Sequence, residues 1–425
     1  MARTLTTKDC YALINAIAAE ITGQQGTLQA VDSSSFVSVG ETILAAGTEN
    51  TLNAISLVLG RTFMAVRPYK AKLWSINAID SGVYANRLRK ISFYARKAEP
   101  TGAWNTDLFT NHAMGFDNGS NPDDGVPQSV PSMWKQNAPV PLELNFGGSS
   151  AWDDSTTIYE KQLQVAFRSE ADFAAFMSGI MTEKGNDIET EKEAFNRACM
   201  LNYIAGVYDL SAVNGGAAVD LAAGFNTKHG TEYTREQLLT TYYKDFLAYF
   251  VATVKVASDM LENRSLKWHW SPAKQVNGED YVLLRHTPKA DQKLLMYKPF
   301  WIDAEANVFS EVFNEQYLKP ENYEGVMFWQ NELNPTAIKV TPAIPNTANP
   351  TSQKAGSQVT LDYVLGVLYD RDAMMTDFQF EGAYSTPLEA RKLYRNIIWH
   401  FRKNSINDFT ENGIVFYIGE GGSQD

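Results

Sequence analysis

The chain has 425 residues, 44% apolar and 12% aromatic; that is an ordered globular composition, at a length where one hydrophobic core usually gives way to two. Its net charge of −12 argues against a protein that wraps nucleic acid, whose footprint is basic throughout, but suits a container whose walls should not adhere to it. No run of about 18 apolar residues predicts a membrane span, the first residues lack the apolar core of a signal peptide, and Cys10 and Cys199 are too few for a disulfide framework or a cysteine zinc site.

Residues 9–21 place Leu13, Ile14, Ile17 and Ile21 at helical spacing, and Gly23 and Gly26 close that segment. A polar Gly/Ser-rich stretch to about Gly40 then reads as a loose tether, so 1–50 is expected to be an N-terminal arm. A helix near Glu49–Leu59 and a strand around Phe63–Val66 lead onward through 51–85.

Next comes a two-stranded arm, 86–150, with an outgoing strand Arg87–Lys97 and a return strand Leu142–Phe146. Six of the chain's 16 prolines lie between Pro100 and Pro141, which excludes a helix or a core strand there. Charge concentrates here as well. Residues 61–97 carry nine Lys/Arg against Asp80 alone, a segment of +8 in a remainder of −20. Strand alternation puts Arg87, Arg89 and Lys97 on one face and Lys90 and Arg96 on the other. Basic residues on both faces mean either a solvated edge blunted by charge or contact with an acidic neighbour. A two-stranded arm has no core of its own and must lie on something else.

After a strand at Leu163–Phe167, Ser169 and Asp172 resemble a capping box, opening a helix to about Tyr203. Phe173, Phe176, Met177, Ile180, Met181, Ile188 and Phe195 follow its apolar face, and Gly185-Asn186 is a candidate kink. Its Glu183, Asp187, Glu189, Glu191 and Glu193, against Lys184 and Lys192, give an acidic stretch of −3, the natural counterpart of the basic arm. A second helix is predicted from Thr234 to Asn263, then a strand at Tyr281–Leu284 and a loop at 334–358. Leu361–Tyr369 reads as a buried strand, Asp370–Met375 as a turn, and Phe378–Tyr384, Leu393–Arg402 and Ile414–Ile418 as closing strands.

No catalytic site is legible. His112, His229, His269, His286 and His400 form no metal-ligand pair, and no nucleophile elbow, phosphate loop or dinucleotide fingerprint is present. Asp117–Gly125 has the composition of a calcium loop, but Gly119 and Pro122 occupy a ligand position and the turn-glycine position. No cofactor or metal is therefore expected. Nine tryptophans, 20 tyrosines and many carboxylates leave one alternative, a carbohydrate-active enzyme or glycan-binding protein, with no carboxylate pair marked out.

The order of parts resembles a tailed-bacteriophage major capsid protein, nearest to those of short-tailed phages of Gram-positive hosts. The stretch Ile158–Met177, a strand running into the long helix, carries the resemblance, together with Val367-Leu-Tyr-Asp-Arg-Asp-Ala-Met374 and Arg395-Asn-Ile-Ile-Trp-His-Phe401. It implies an α+β capsid fold with an N-terminal arm, an extended β-hairpin loop, a peripheral domain with a long spine helix, and an axial domain. By that resemblance 86–150 is the extended loop lying across a neighbouring subunit and 151–233 the peripheral domain, with the spine at 169–204. Residues 234–376 are then the axial domain, 377–404 further peripheral strands, and 405–425 a C-terminal strand and tail. The implied role is a self-assembling icosahedral or prolate shell around double-stranded DNA, built of pentamers and hexamers. A separate scaffolding protein, a portal and non-specific contact with the packaged DNA follow as partners, with synthesis in the bacterial cytoplasm and residence in the virion. The expected inter-subunit residues are Arg87, Arg89, Lys90, Arg96 and Lys97 against Glu183, Asp187, Glu189, Glu191 and Glu193.

Overall fold

A computed structural model describes residues 7–23, 28–46, 54, 73, 76–79, 87–95, 134, 138–147, 150–214, 217–272, 274–276, 279–304, 323–346 and 352–422. Apart from Ala54, the helix expected near Glu49–Leu59 lies outside these residues. So do the strand at Phe63–Val66, most of the arm's outer part, His112, Arg96, Lys97 and the acidic turn Asp117–Gly125.

The chain opens with two helices, α1 (Thr7–Thr22) and α2 (Ser33–Ala45). The first matches its periodicity. The second replaces the expected loose tether, and its cause is local. Asp32 accepts from the Ser35 backbone N–H (2.7 Å), while Ser35 Oγ accepts from the Asp32 N–H (2.9 Å), a reciprocal cap. Phe36, Val39, Gly40 and Ile43 then bury one face. Asn15 fastens the pair, donating to the Ala30 carbonyl (3.1 Å) and accepting from its N–H (2.7 Å).

Strand β1 (Asn77–Ile79) precedes the arm strands β2 (Arg87–Phe93) and β3 (Pro141–Gly147), which pair antiparallel from Arg87↔Gly147 to Phe93↔Pro141. Strand β4 (Ser150–Tyr159) runs into α3 (Glu160–Ala166), a helix where the alternation of Leu163–Phe167 predicts a strand. Gln164 donates to Glu160 one turn back (3.1 Å), and Ala166 and Phe167 are buried side by side while Val165 is exposed, which a strand could not arrange.

The spine helix α4 (Glu170–Asn214) is 45 residues long, about 67 Å at 1.5 Å per residue. Ser169 caps it, accepting from the Asp172 N–H (3.2 Å) and donating to its carboxylate (2.8 Å). Gly185-Asn186 does not break it. An interior glycine costs about 1 kcal/mol relative to alanine, and the burial of Met177 and Ile188 on either side outweighs that. The helix also outruns its expected end at Tyr203, because from Cys199 to Val207 nearly every side chain is buried and the amphipathic signal vanishes.

Beyond it lie β5 (Ala218–Asp220), α5 (Leu221–His229), α6 (Arg235–Thr240) and α7 (Tyr243–Leu261). The last two replace the single helix predicted from Thr234; the break falls at Tyr242 (φ −107°), whose ring stacks on Tyr233 at 3.9 Å. Then follow β6 (Lys274–Val276), β7 (Glu279–Tyr281), β8 (Gln292–Tyr297), α8 (Lys298–Ala304) and β9 (Tyr323–Val326). Short strands β10 (Ile338–Val340), β11 (Ala343–Pro345) and β12 (Gln353–Ala355) interrupt the stretch expected to be a loop, and β13 (Val359–Leu361) follows it. The chain closes with β14 (Val364–Asp370), β15 (Met374–Ser385), β16 (Tyr394–Asn407) and β17 (Gly413–Tyr417).

Two sheets organise these elements in a mixed α+β architecture. One has the order β1-β15-β16-β4, and its core joins Ile158, Ile397, Trp399 and Phe401 to Ile14, Ile17, Phe36, Phe167, Phe173 and Met177 from the helices. The other has the order β5-β17-β14-β8-β9. The second half of the spine covers one of its faces through Met200, Tyr203, Ile204 and Val207, and α5, α7 and α8 cover the other through Phe225, Phe246, Phe250 and Phe300. Strand β14 is therefore buried on both faces, as its unbroken apolar run implies. Cys199 pins the spine to the sheets, its thiol 3.0 Å from Asn407 Oδ1. Gly366 in β14 admits no side chain: a Cβ there would lie 2.2 Å from Met296 Sδ and 2.7 Å from the Leu295 carbonyl oxygen. Gly366→Ala is expected to destabilise the subunit by about 1–3 kcal/mol through overpacking, measured as a lower urea midpoint with unchanged slope.

Candidate assembly interface

The arm strands have two unlike faces, as alternation requires. Inward, Leu142, Leu144, Phe146 and Tyr94 pack with Tyr281, Leu283 and Ile406 of the body. Burial of each large side chain is worth about 1.5–3 kcal/mol, so a hairpin that is marginal alone is held down at its root. Ala95 adds a backbone bridge, donating to the Val282 carbonyl at 2.7 Å. Strand β7 stops at Tyr281, and beyond it the expected strand to Leu284 is represented by isolated bridges at Val282 and Arg285.

Lys90 also points inward, where its ammonium is ion-paired with Asp408 and Glu411. Arg285 completes the cluster, donating to Ser92 Oγ (2.7 Å) and the Thr410 carbonyl (3.0 Å) and lying 3.4 Å from Glu411. Burial alone would lower the Lys90 pKa, but the two carboxylates override it and hold the ammonium above its ordinary value. Burial outweighs Lys90 and Arg285 at Glu411, whose carboxyl is pushed up. The two directions agree physically: the carboxylates favour the charged Lys90, while the desolvation of Glu411 outweighs the help of both cations.

Outward, the arm presents Arg89, Ile91 and Phe93; the two apolar residues are 50% and 60% exposed. Arg89 reaches Glu143 on the return strand at 2.8 Å. Sequence parity therefore separates Arg89 from Lys90 correctly, but Lys90 finds its acids within its own subunit. Of Arg87 the backbone alone is described.

The acidic stretch of the spine is also largely neutralised within the chain. Lys184 bonds Asp154 (2.7 Å) and lies 3.4 Å from Asp187; Glu189 is buried 3.4 Å from Lys192. Glu193 receives Arg197 at 2.8 Å, and that guanidinium also donates to the carbonyls of Phe328 and Trp329. Glu191 is exposed, while of Glu183 only the backbone is described. Asp408, Glu411 and Arg285 escaped the sequence reading because Lys90 and Asp408 are 318 residues apart and no local pattern links them. No group of metal-ligating side chains occurs among the described residues, and no helix there is long and apolar enough to cross a membrane.

Removing the Lys90 charge should free the arm. Lys90→Met keeps the stem but leaves buried Asp408 without its cation and Glu411 with Arg285 alone, at a cost of about 3 kcal/mol. It should lower the unfolding midpoint and speed proteolytic cutting of the arm. In the native protein the raised lysine pKa keeps the clamp intact below the ordinary lysine value of about 10.4, and it is lost only as pH rises through the folded value.

The family model for Phi29-like phage major capsid protein matches residues 151–417. Among solved structures, the chain is similar to the capsid of Staphylococcus phage Andhra (10% identity, TM-score 0.49, covering 83% of this chain and 85% of that one). It is also similar to a chain in the structure of the head fiber and inner core protein gp22 of bacteriophage P68 (12%, 0.48, 82% and 85%). A third is the mature capsid of bacteriophage PhiM1 (8%, 0.42, 82% and 87%). No curated protein matches.

Proposed function

Because this chain belongs to the Phi29-like phage major capsid protein family, whose model spans residues 151–417, we propose that its arm is the element by which neighbouring subunits grip one another. The protein is a structural, shell-forming component of the phage virion, and it builds that shell by self-association. The enzyme alternative has no support.

The observation that carries the arm reading is the contrast between its two faces. The inner face is anchored by an apolar cluster and the Lys90 clamp, while the outer face exposes Ile91 and Phe93 beside Arg89. An isolated two-stranded ribbon with apolar residues in water gains by being covered. A second copy of the chain is the natural cover in a closed shell. Contacts of this kind are individually modest. Exposed ion pairs contribute about 0–1 kcal/mol each, so Arg87, Arg89, Arg96 and Lys97 select partner and register while apolar burial supplies affinity. On the spine, Glu191 and Asp187 are the exposed acids left to meet them; Lys90, Glu189 and Glu193 serve their own subunit.

The finer organisation follows the same reading. The four-stranded sheet with the first half of the spine forms the peripheral domain, and the five-stranded sheet with its covering helices forms the axial domain at the centres of pentamers and hexamers. A separate scaffolding protein and a portal direct assembly in the host cytoplasm. The acidic body contacts the packaged double-stranded DNA only non-specifically.

Electron microscopy of the purified protein, alone and with a co-expressed scaffold, tests this directly. Wild type should give shells, tubes or five- and six-membered rings. Arg87→Glu, Arg89→Glu and Lys97→Glu together should abolish them with helix content unchanged by circular dichroism. Normal shells from that variant would sink the arm reading.

A further inference from the structure

Helices α5 and α7 flank a groove of about 440 Å³, within the range of about 300–1,000 Å³ usual for small-molecule sites. Its width has a cause in the sequence. Asp245, Ala248, Tyr249 and Ala252 follow one another at helical spacing along α7, and both alanines are exposed. A solvated helix face ordinarily carries long polar side chains; two methyl groups here leave the space open. The buried Phe225 ring of α5 also lines the groove, as do Tyr233 and Tyr242, whose rings stack at 3.9 Å.

The walls are set without a ligand. Asn226 holds the turn after α5: its side chain donates to the Tyr233 carbonyl (2.8 Å) and accepts from the Tyr233 N–H (3.0 Å) and the Thr231 hydroxyl (2.9 Å). Tyr249 is held as well. A Cβ at Gly224 would lie 2.3 Å from its hydroxyl oxygen, so the ring tip rests on the α5 backbone. Phe225 meets the same ring edge to face, with centroids 5.5 Å apart. Rings fixed in this way lose little freedom when something stacks on them.

The polar groups of the groove are, by contrast, uncommitted. Asp245 is exposed and forms no ion pair or side-chain hydrogen bond among the described residues. Lys228 is exposed too, its ammonium 5.4 Å above the Tyr249 ring on a flexible stem. His229 Nδ1 lies 3.0 Å from the Phe225 carbonyl oxygen and donates to it, which leaves Nε2 for another partner. Thr231 Oγ1, its hydrogen given to Asn226, can only accept.

This set selects a ligand class. An anion would meet Asp245, and a cation would meet Lys228. An apolar molecule would strip water from both charges without replacing it. A zwitterion would engage those two and leave His229 and Thr231 unused. A pyranose ring satisfies all four: its C–H face lies on an aromatic ring, and its hydroxyls both donate and accept.

We propose that the α5–α7 groove binds a neutral glycan, an adhesive function separate from building the shell. Tyr233, Tyr242 and Tyr249 supply the stacking surface, and Asp245, Lys228 and His229 bond the hydroxyls. The sugar is held and not cut, because Asp245 is the single carboxylate among the lining residues and glycoside cleavage ordinarily takes two.

Saturation-transfer NMR on the full-length protein tests this, with the N-acetylglucosamine trimer and maltotriose as probes and adenosine monophosphate and phenylalanine as charged comparators. At least one trisaccharide should bind saturably, with the strongest transfer to its ring C–H protons. Asp245→Asn and Ala248→Gln should each weaken that binding roughly tenfold, the first by removing a charged acceptor and the second by filling the groove. Both positions are exposed, so the unfolding midpoints of the two variants should match wild type. Binding of neither trisaccharide would overturn the proposal; so would binding that both substitutions leave intact, or tighter binding of a comparator. The readout does not depend on shells forming, so its failure is distinct from failure of the arm reading.

Discussion

Everything in this subunit hangs on the spine helix being a single rod shared by two cores. Its first half buries Phe173, Met177 and Ile188 under the four-stranded sheet, and its second half buries Met200, Tyr203, Ile204 and Val207 under the five-stranded one. Neither half could move without opening a core, because packed interiors tolerate little change in volume. The rod thus fixes the relation between the two sheets, and the arm root, leaning on Ile406 near the end of the long strand β16 and on Asp408 just after it, inherits that frame. A shell subunit needs this division: a stiff body to define curvature and a peripheral ribbon to negotiate with neighbours.

The clamp at the arm root shows how burial and charge share that work. Lys90 is shielded enough that its pairing is not a surface ion pair of negligible worth, yet it faces two acids. Such a cluster is a poor source of net stability and a good source of definition, since removing any one member strands the others. The apolar cluster around Leu142, Leu144 and Phe146 provides the holding energy. Arg285, touching Ser92, Thr410 and Glu411 together, ties the ribbon to the body.

Much of this was legible in the residues, within limits that have physical causes. The alternation of the arm strands and the apolar stripe from Phe173 to Ile188 were visible because one face meets a core and the other meets water. The same logic hid the end of the spine. Past Cys199 the helix is surrounded, and a helix buried all round has no stripe to see. Helix α2 was hidden by composition, since serines and glycines suggest a tether until the Asp32–Ser35 cap and the spacing of Phe36, Val39 and Ile43 are weighed together. Helix α3 was too short for periodicity to separate it from a strand. Charge counting found the basic arm and the acidic spine but not their partners, because pairing across hundreds of residues is set by topology.

Cys199 carries a consequence of a different kind. Its thiol is enclosed between the spine and β16, facing Asn407 Oδ1, and burial pushes its pKa up to about 12. A thiol that almost never ionises is chemically silent toward alkylating reagents and oxidants. Cys10, equally enclosed on α1, is shielded from them by burial. Particles built from this chain can therefore persist in oxidising surroundings without scrambling or cross-linking through sulfur. The Cys199 thiol also becomes a built-in clock: reagent reaches it only when the spine parts from the sheet, so its labelling rate in an intact particle times the opening of the subunit core.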